Sequence, residues 1–315
     1  MLVFRGLPDR AEQSSVLTIG NFDGVHRGHQ ALLQLLVQQA RTRALPATVL
    51  TFEPHPREFF APESAPPRLS RLREKLELMA ECGVDRVHVL RFNKAFASLD
   101  ASAFIERVLV RGLATRHLLI GDDFRFGRER TGDFAMLQAA GAAHGFSVEA
   151  MPTLEIAGER VSSSAVRDAL IAGDIEHAER LIGRPYTMSG RVMHGDKLGR
   201  TIGFPTVNIQ INRNRAPLAG IYAVTVDGIA DSPWPGVASL GVRPTITKNG
   251  AARLEVYLLD FAGDLYGRHL RVHFLHKQRD EQKFGSLAEL TAAIARDCEN
   301  AREILARHRI EVPAA

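Results

Sequence analysis

The sequence predicts an α/β domain on a parallel, doubly wound sheet, followed by an antiparallel sandwich or barrel that ends in a helix. Three observations carry this expectation. In the first half, apolar strand-like runs alternate with stretches of helical period. In the second half the runs turn short, β-branched and punctuated by Gly, Pro, Asn or Asp. The rhythm changes after "VSSSAVRDALIAGDIEHAERLIGRPY", which sets a boundary near residues 181–186 and divides the 315 residues into domains 1–183 and 184–315. That length suits about two domains.

The first half reads in order. "SVLTIG" is a buried strand, and "HQALLQLLVQQARTRA" extends an amphipathic helix over residues 26–43. "ATVLTFEP" is a strand that enters the Pro-rich loop "EPHPREFFAPESAPPRLS". "LREKLELMAECG" is helical, with Gly83 suited to its C-cap. "DRVHVLRF" is a strand, and "DASAFIERVL" a helix with Asp100 as N-cap. "TRHLLIGDDF" is a strand running into a polar loop, "DFAMLQAAGAAHG" a helix and "FSVEAMP" a further strand. Parallel sheets of this kind bind ligands at the carboxyl ends of their strands. The loops at 20–29, 53–57 and 121–127 fall on those ends.

The second half supplies "TMSGRVMHG", "FPTVNIQI", "GIYAVTVDG", "WPGVASLG", "LEVYLLDF" and "HLRVHFLHK" as strands. A final helix follows in "SLAELTAAIARDCENAREILARH", with Ser286 as N-cap and Glu289 three residues on.

Composition narrows the class. With 45% hydrophobic and 24% charged residues the chain is globular. Its net charge of +4 and pI near 9.3 suit anionic small ligands without establishing a nucleic-acid binder. Two distant cysteines, Cys82 and Cys298, fit a reducing cytoplasm better than a disulfide framework. The start "MLVFRGLPDR" lacks the apolar core of a signal peptide, and no apolar run approaches the ~20 residues that span a bilayer. The expectation is a soluble cytoplasmic protein with neither membrane nor nucleic acid as partner.

The stretch "TIGNFDGVHRGHQ" sits between a predicted strand and a helix N-terminus. Glycines there let backbone approach a phosphate, and a helix N-terminus favours an anion. His26 and His29 share a face and can donate to phosphate oxygens as charge accumulates. Asp23 could orient them or contact a nucleotide. Two histidines at this spacing can also ligate zinc, although a zinc site normally takes further protein ligands and no Cys/His cluster is visible.

"GNFDGVHRGHQ", "TFEPHP", "GDDFRFG", "VSSSAVR", "GRPY", "GFPTVN" and "DFAGDLYG" occur in order over nearly the whole chain. Together they resemble the bacterial bifunctional riboflavin kinase/FAD synthetase (FMN adenylyltransferase) family. The resemblance implies a Rossmann-like nucleotidyltransferase domain, then a six-stranded β-barrel riboflavin kinase. It implies two reactions: riboflavin plus ATP giving FMN and ADP, and FMN plus ATP giving FAD and pyrophosphate. Mg²⁺ is the implied cofactor, with a monomer or weak homo-oligomer as the implied state.

In the first half the resemblance assigns ATP phosphates to the turn of Gly20, Asn21, Asp23 and Gly24 and to the His26–His29 pair. Ser162, Ser163, Ser164 and Arg167 match a hydroxyl-rich loop for the leaving phosphates; Ser164 stands where the family usually has threonine. The same stretch is also readable as a plain helix cap. Phe52, Pro54, His55 and Pro56, with Asp123, Phe124 and Phe126, fall in the loops that would meet the flavin. FMN attacks through a phosphate that is already anionic, so alignment and charge suffice without a general base.

In the second half riboflavin attacks through a hydroxyl, whose proton must leave. Glu255 matches the family's carboxylate base, on the strand face opposite Leu254 and Val256. A merely solvated strand glutamate is the competing reading, and Tyr257 stands where the family often has histidine. Thr206 and Asn208 match a "PTAN" motif, with Val207 replacing alanine. They face the same way and could place Mg²⁺ beside the ATP phosphates. Gly195, Lys197, Gly199 and Gly203 supply the phosphate-side loop, which is not a P-loop but reads equally as a glycine-rich hairpin. Arg243 and Arg279 lie in the loops placed on the flavin side.

Two other readings remain open at this stage. One is an enzyme with only the kinase active, its first half a nucleotide-binding scaffold. The other is a nucleic-acid-binding protein, which would bind oligonucleotides with strong salt dependence.

Overall fold

A computed structural model describes residues 1–195, 199, 202–213, 215–242 and 252–308. The chain forms two compact units. The first takes in residues 1–66 and 70–162, the second residues 67–69 and 163–315.

The first unit holds a six-stranded parallel sheet in the order β1-β4-β3-β2-β5-β6. Its strands are β1 (Leu2–Arg5), β2 (Ser15–Ile19), β3 (Ala47–Glu53), β4 (Arg86–Arg91), β5 (Thr115–Gly121) and β6 (Ser147–Met151). Alternation along the central strands sends side chains to two cores. Leu17, Leu50, Leu118 and Ile120 meet Phe104 and Leu109 on one face. Val16, Val49, Val87 and Leu119 meet Leu33, Leu36 and Met79 on the other. These are the two layers of a doubly wound fold.

The helices of this unit are α1 (Arg27–Thr42), α2 (Pro56–Phe60), α3 (Leu72–Glu81), α4 (Lys94–Ala97), α5 (Ala101–Phe104) and α6 (Phe134–His144). Short polar side chains start several of them: Asp100 accepts from Ala103 N at 2.7 Å and Asp133 from Met136 N at 2.9 Å. The helix expected over "DASAFIERVL" departs from plain α geometry. After Phe104 it widens into a π-helix, Ile105–Gly112. Gly112 permits the wide turn, since a Cβ there would lie 2.7 Å from the carbonyl of Arg107, five residues back. A two-stranded ribbon, β7 (Glu155–Ile156) and β8 (Glu159–Arg160), follows β6.

The second unit begins with α7 (Ser163–Ala172) and α8 (Ile175–Ile182). Its strands are β9 (Tyr186–Met193), β10 (Thr206–Gln210), β11 (Gly220–Asp227), β12 (Trp234–Val242), β13 (Ala252–Leu258) and β14 (His269–Arg279). They close a barrel in the order β10-β13-β12-β11-β14-β9, its pairs antiparallel. The last helix, α9 (Leu287–Arg307), is capped by Ser286, which accepts from Glu289 N at 3.2 Å. Its Cys298, Ala301 and Leu305 cluster with Ile221, Ala223 and Val237 of the barrel wall.

Three loop residues, Pro67–Leu69, are tied into this second unit. Arg167 Nε donates to Pro67 O at 2.8 Å, Arg213 Nη1 to Arg68 O at 2.7 Å, and the Tyr186 hydroxyl to Leu69 O at 2.9 Å.

Candidate active sites

In the parallel sheet the chain winds outward through β2, β3 and β4, then crosses to β5 on the other side of β2. The crevice at such a reversal is where open α/β sheets bind ligands. The loops leaving β2 and β5 flank it. The β2 loop is the "GNFDGVHRGH" turn, and the β5 loop is "GDDFRFG".

His26 is the N-cap of α1, and its Nδ1 accepts from His29 N at 3.4 Å. The two imidazoles stack with ring centroids 3.7 Å apart, and Phe22 packs against His29 at 5.0 Å. His29 Nδ1 and Asn21 Oδ1 are buried with no hydrogen-bond partner among the described residues. Buried orphan polar atoms on one turn are what a ligand's polar atoms would satisfy. Burial lowers the His29 pKa well below 6.5, and the charges of His26 and Lys75 press it further down. His29 is therefore a neutral imidazole at neutral pH, with one N–H to give. Among the described residues no group of three or more His, Cys, Asp or Glu is placed to hold a metal ion.

Asp23 is buried and is held by Ser70, whose N–H and Oγ both donate to Asp23 Oδ1, at 3.0 and 3.3 Å. Gly24 N donates in turn to Ser70 Oγ at 2.9 Å. Nothing in the local sequence announced Ser70; it lies 47 residues from its partner.

The flavin-side expectations fall along an aromatic series. The rings of Phe52, Phe92, Phe96, Phe104 and Phe126 follow one another at 5.2–6.1 Å, and Phe124 stacks on Phe126 at 5.8 Å. His55 caps α2, accepting from Arg57 N at 3.1 Å, and Pro54 and Pro56 flank it, the latter as the first residue of the helix. Asp123 pairs with Arg160 at 2.6 Å on the exposed surface. Ser162 belongs to the first unit, whereas Ser163, Ser164 and Arg167 belong to the second. Arg167 is buried and donates through Nη1 to Ser163 O at 3.0 Å, besides its bond to Pro67.

The barrel carries a second constellation. β10 and β13 pair so that Asn208 stands opposite Glu255 and Thr206 opposite Tyr257. Along β13, Ala252, Leu254, Val256 and Leu258 are buried, while Arg253, Glu255 and Tyr257 share the outer face. Arg253 gathers this face: its Nε and Nη2 both donate to Asn208 Oδ1, at 3.0 and 2.7 Å, and its Nε lies 2.8 Å from Glu255 Oε1. Arg253 was missed by motif reading, although the two-residue period of the strand puts it on the face of Glu255.

Glu255 and Thr206 line a cavity of about 270 Å³ with Phe204, Tyr257, Glu281 and Phe284. Arg279 reaches it too, held by a two-pronged pair with buried Asp297 of α9 at 2.9 and 2.7 Å. Burial raises the Glu281 pKa, Glu255 nearby adds to the rise, and Ser239 and Arg279 oppose it. Glycines fit the approach loop. A Cβ at Gly195 would collide with the Asn208 amide and one at Gly199 with Phe204 O, while Gly203 adopts φ +86°. Lys197, Arg243 and most of "GVRPTI" lie outside the described residues.

A doubly wound sheet with an imidazole pair on a strand–helix turn, joined to a closed barrel with a carboxylate beside a "PTVN" strand, defines a two-domain nucleotide-dependent transferase. The FAD synthetase family matches residues 9–165 and the riboflavin kinase family residues 182–305. The chain is 54% identical to a bifunctional riboflavin kinase/FMN adenylyltransferase of Pseudomonas fluorescens, covering 97% of this chain and 98% of that one. It is 53% identical to a protein of the same description from Escherichia coli strain K12, covering 96% and 97%. The chain belongs to the bifunctional riboflavin kinase/FMN adenylyltransferase family, with the FAD synthetase domain N-terminal and the riboflavin kinase domain C-terminal.

A crystal structure from Streptococcus pneumoniae named as a macrolide-efflux protein superposes with a TM-score of 0.82 at 30% identity, covering 96% of this chain and 99% of that one. The fold is shared over that length. Among the described residues here, no helix is long and apolar enough to cross a membrane.

Proposed function

We propose that the barrel phosphorylates riboflavin and the parallel-sheet domain adenylylates the product, with the boundary between the two activities at residues 183/184. In the first step Glu255 takes the proton of the riboflavin hydroxyl as its oxygen attacks the γ-phosphorus of ATP; the bond to ADP breaks and FMN forms. Arg253, bound to both Glu255 and Asn208, fixes the carboxylate beside the strand that would carry the phosphates.

Thr206, Asn208 and Glu255 bring oxygen ligands of the kind a hard divalent cation takes to one face, and Arg253 would have to release Asn208 Oδ1 for a cation to use it. Thr206 and Asn208 would hold Mg²⁺, whose role when bound is to neutralise phosphate charge. Gly195, Lys197, Gly199 and Gly203 would keep the loop close to the phosphates. Arg243 and Arg279 are assigned to the flavin side of this site.

In the second step a phosphate oxygen of FMN attacks the α-phosphorus of ATP, and the bond to pyrophosphate breaks. No proton has to be removed. Gly20, Asn21 and Gly24 would offer the phosphates a close backbone, and His26 and His29 would donate from the helix start. Asp23 holds this turn through Ser70. Ser162, Ser163, Ser164 and Arg167 are assigned to the leaving pyrophosphate. Phe52, Pro54, His55 and Pro56, with Asp123, Phe124 and Phe126, are assigned to the flavin. The reading implies a cytoplasmic monomer or weak homo-oligomer with small-molecule partners alone: riboflavin, FMN, FAD, ATP, ADP and pyrophosphate.

The observation that carries the reading is the pairing of Glu255 with Asn208 across β10 and β13, a base and a phosphate-side amide on one strand face. The test is a time course of flavins from riboflavin, ATP and Mg²⁺, resolved by chromatography. FMN should appear first and FAD second. His29→Gln should stop the sequence at FMN; Glu255→Gln should block FMN yet still convert supplied FMN to FAD. Failure of folded wild-type protein to make either product overturns the proposal.

A further inference from the structure

Lys75 lies where the packing of α3 calls for an apolar side chain. It is three residues after Leu72 and four before Met79, hence on the same helix face. Leu72 and Met79 join the core cluster that contains Phe22 and Val25 of the nucleotide turn. Lys75 itself is 3% exposed. One further contact ties the start of α3 to the turn: Ser70, just ahead of the helix, binds Asp23 and Gly24. A buried ammonium is costly to desolvate, and an anion bound at the neighbouring turn would offset part of that cost.

We propose that Lys75 is a fixed cation of the adenylyl-transfer site, a positioning residue that supplies positive potential to the phosphates at the His26–His29 turn. The inference rests on the reading of the His26–His29 turn as the ATP phosphate site. A neutral His29 donates a hydrogen bond but no charge, so positive potential at this turn has to come from other side chains. The influence of Lys75 on His29 agrees with that placement. The competing account is structural, with Lys75 serving only to balance buried acidic groups such as Asp23 and Glu74.

The test compares Lys75→Met, which keeps volume and removes charge, with Lys75→Arg, which keeps charge. FAD formation from FMN should fall by on the order of tenfold to a hundredfold in Lys75→Met, chiefly in KM for ATP, and recover substantially in Lys75→Arg. The rise in melting temperature given by pyrophosphate should shrink in parallel, while FMN formation from riboflavin stays unchanged. Unaltered ATP dependence and an unaltered pyrophosphate effect in Lys75→Met overturn the proposal. If Lys75→Met does not fold, the unmutated protein decides. Its Lys75 ¹⁵Nζ resonance, assigned by its loss in Lys75→Arg, should shift on adding pyrophosphate; an unmoved resonance overturns the proposal. His29→Gln separates the two readings. If His29→Gln spares FAD formation, the turn is not the phosphate site; if it alone abolishes FAD formation, only the role of Lys75 is lost.

Discussion

Ser70 grips Asp23 with two donors on a single carboxylate oxygen, at 3.0 and 3.3 Å, and returns an acceptor to Gly24. Both residues are buried, so the grip is shielded from water. Asp23 thereby anchors the glycine turn from below. Replacing Ser70 by Ala removes the hydroxyl and leaves Gly24 N without this acceptor, at an expected cost of about 1–3 kcal/mol. FAD formation should drop while FMN formation is spared. Ser70→Thr, which keeps the hydroxyl, should recover most of the loss. Urea unfolding and the two flavin assays check these outcomes together.

The Arg253–Asn208–Glu255 cluster makes a separate prediction. Glu255→Gln removes the proton acceptor and should lower kcat of FMN formation by on the order of 10²–10⁴. Arg253→Met should weaken both anchors at once, because one guanidinium addresses Asn208 and Glu255. Its effect should be smaller than that of Glu255→Gln and should include a higher KM for ATP. A loss confined to the FAD step would contradict the assignment.

What could be read before the structure was local. Asp100 and Ser286 cap helices with their own side chains, and Gly83 takes positive φ where a helix ends. The alternation of β13 placed Glu255 opposite Leu254 and Val256, as the burial pattern has it. What escaped depends on distant partners or weak patterns. β1 is only four residues long and exposed throughout, so "LVFR" shows no alternation to mark it, yet it pairs with β4 through its backbone. The π-helix differs from an α-helix by one residue per bond, which eight residues of hydrophobic pattern do not resolve. Ser70, Lys75, Arg253 and Asp297 matter because of chain segments brought to them by folding, and no motif marks them.

Three buried or half-buried histidines predict acid sensitivity in the first unit. His29, His88 and His117 all have pKa values lowered from 6.5, each mainly by burial. For His117 the nearby Arg43 adds to this and Glu149 opposes it; for His88 a bond to Gly6 O opposes it. The unfolded chain therefore binds more protons than the folded one below about pH 6.5. Their contribution to stability is fully present above that pH and is lost as pH falls toward the lowered values. The slope should reach at most about 1.4 kcal/mol per pH unit for each histidine. Urea unfolding between pH 7.5 and 5.5 measures it, above the range where most carboxylates titrate. His88→Asn should flatten the slope; an unchanged slope in that variant would show that His88 titrates alike in both states.

The two thiols report on the docking of α9. Cys298 faces the barrel wall with Ala301 and Leu305, and burial, aided by the charge of Asp297, pushes its pKa up to about 12. The thiolate is the reactive form, so Cys298 should resist a disulfide reagent at pH 8. Cys82 is only half-buried, next to the C-terminus of α3. In native protein one thiol should therefore react and the second lag far behind. Sub-denaturing urea should accelerate the second thiol if α9 lifts from the barrel before global unfolding. Asp297→Asn should accelerate it further, because it breaks the two-pronged pair that fastens α9 to Arg279. The same variant frees the guanidinium at the edge of the cavity beside Glu255, so FMN formation should decline along with thiol protection. Equal reaction of both thiols in native protein would mean that α9 does not shield the barrel in solution.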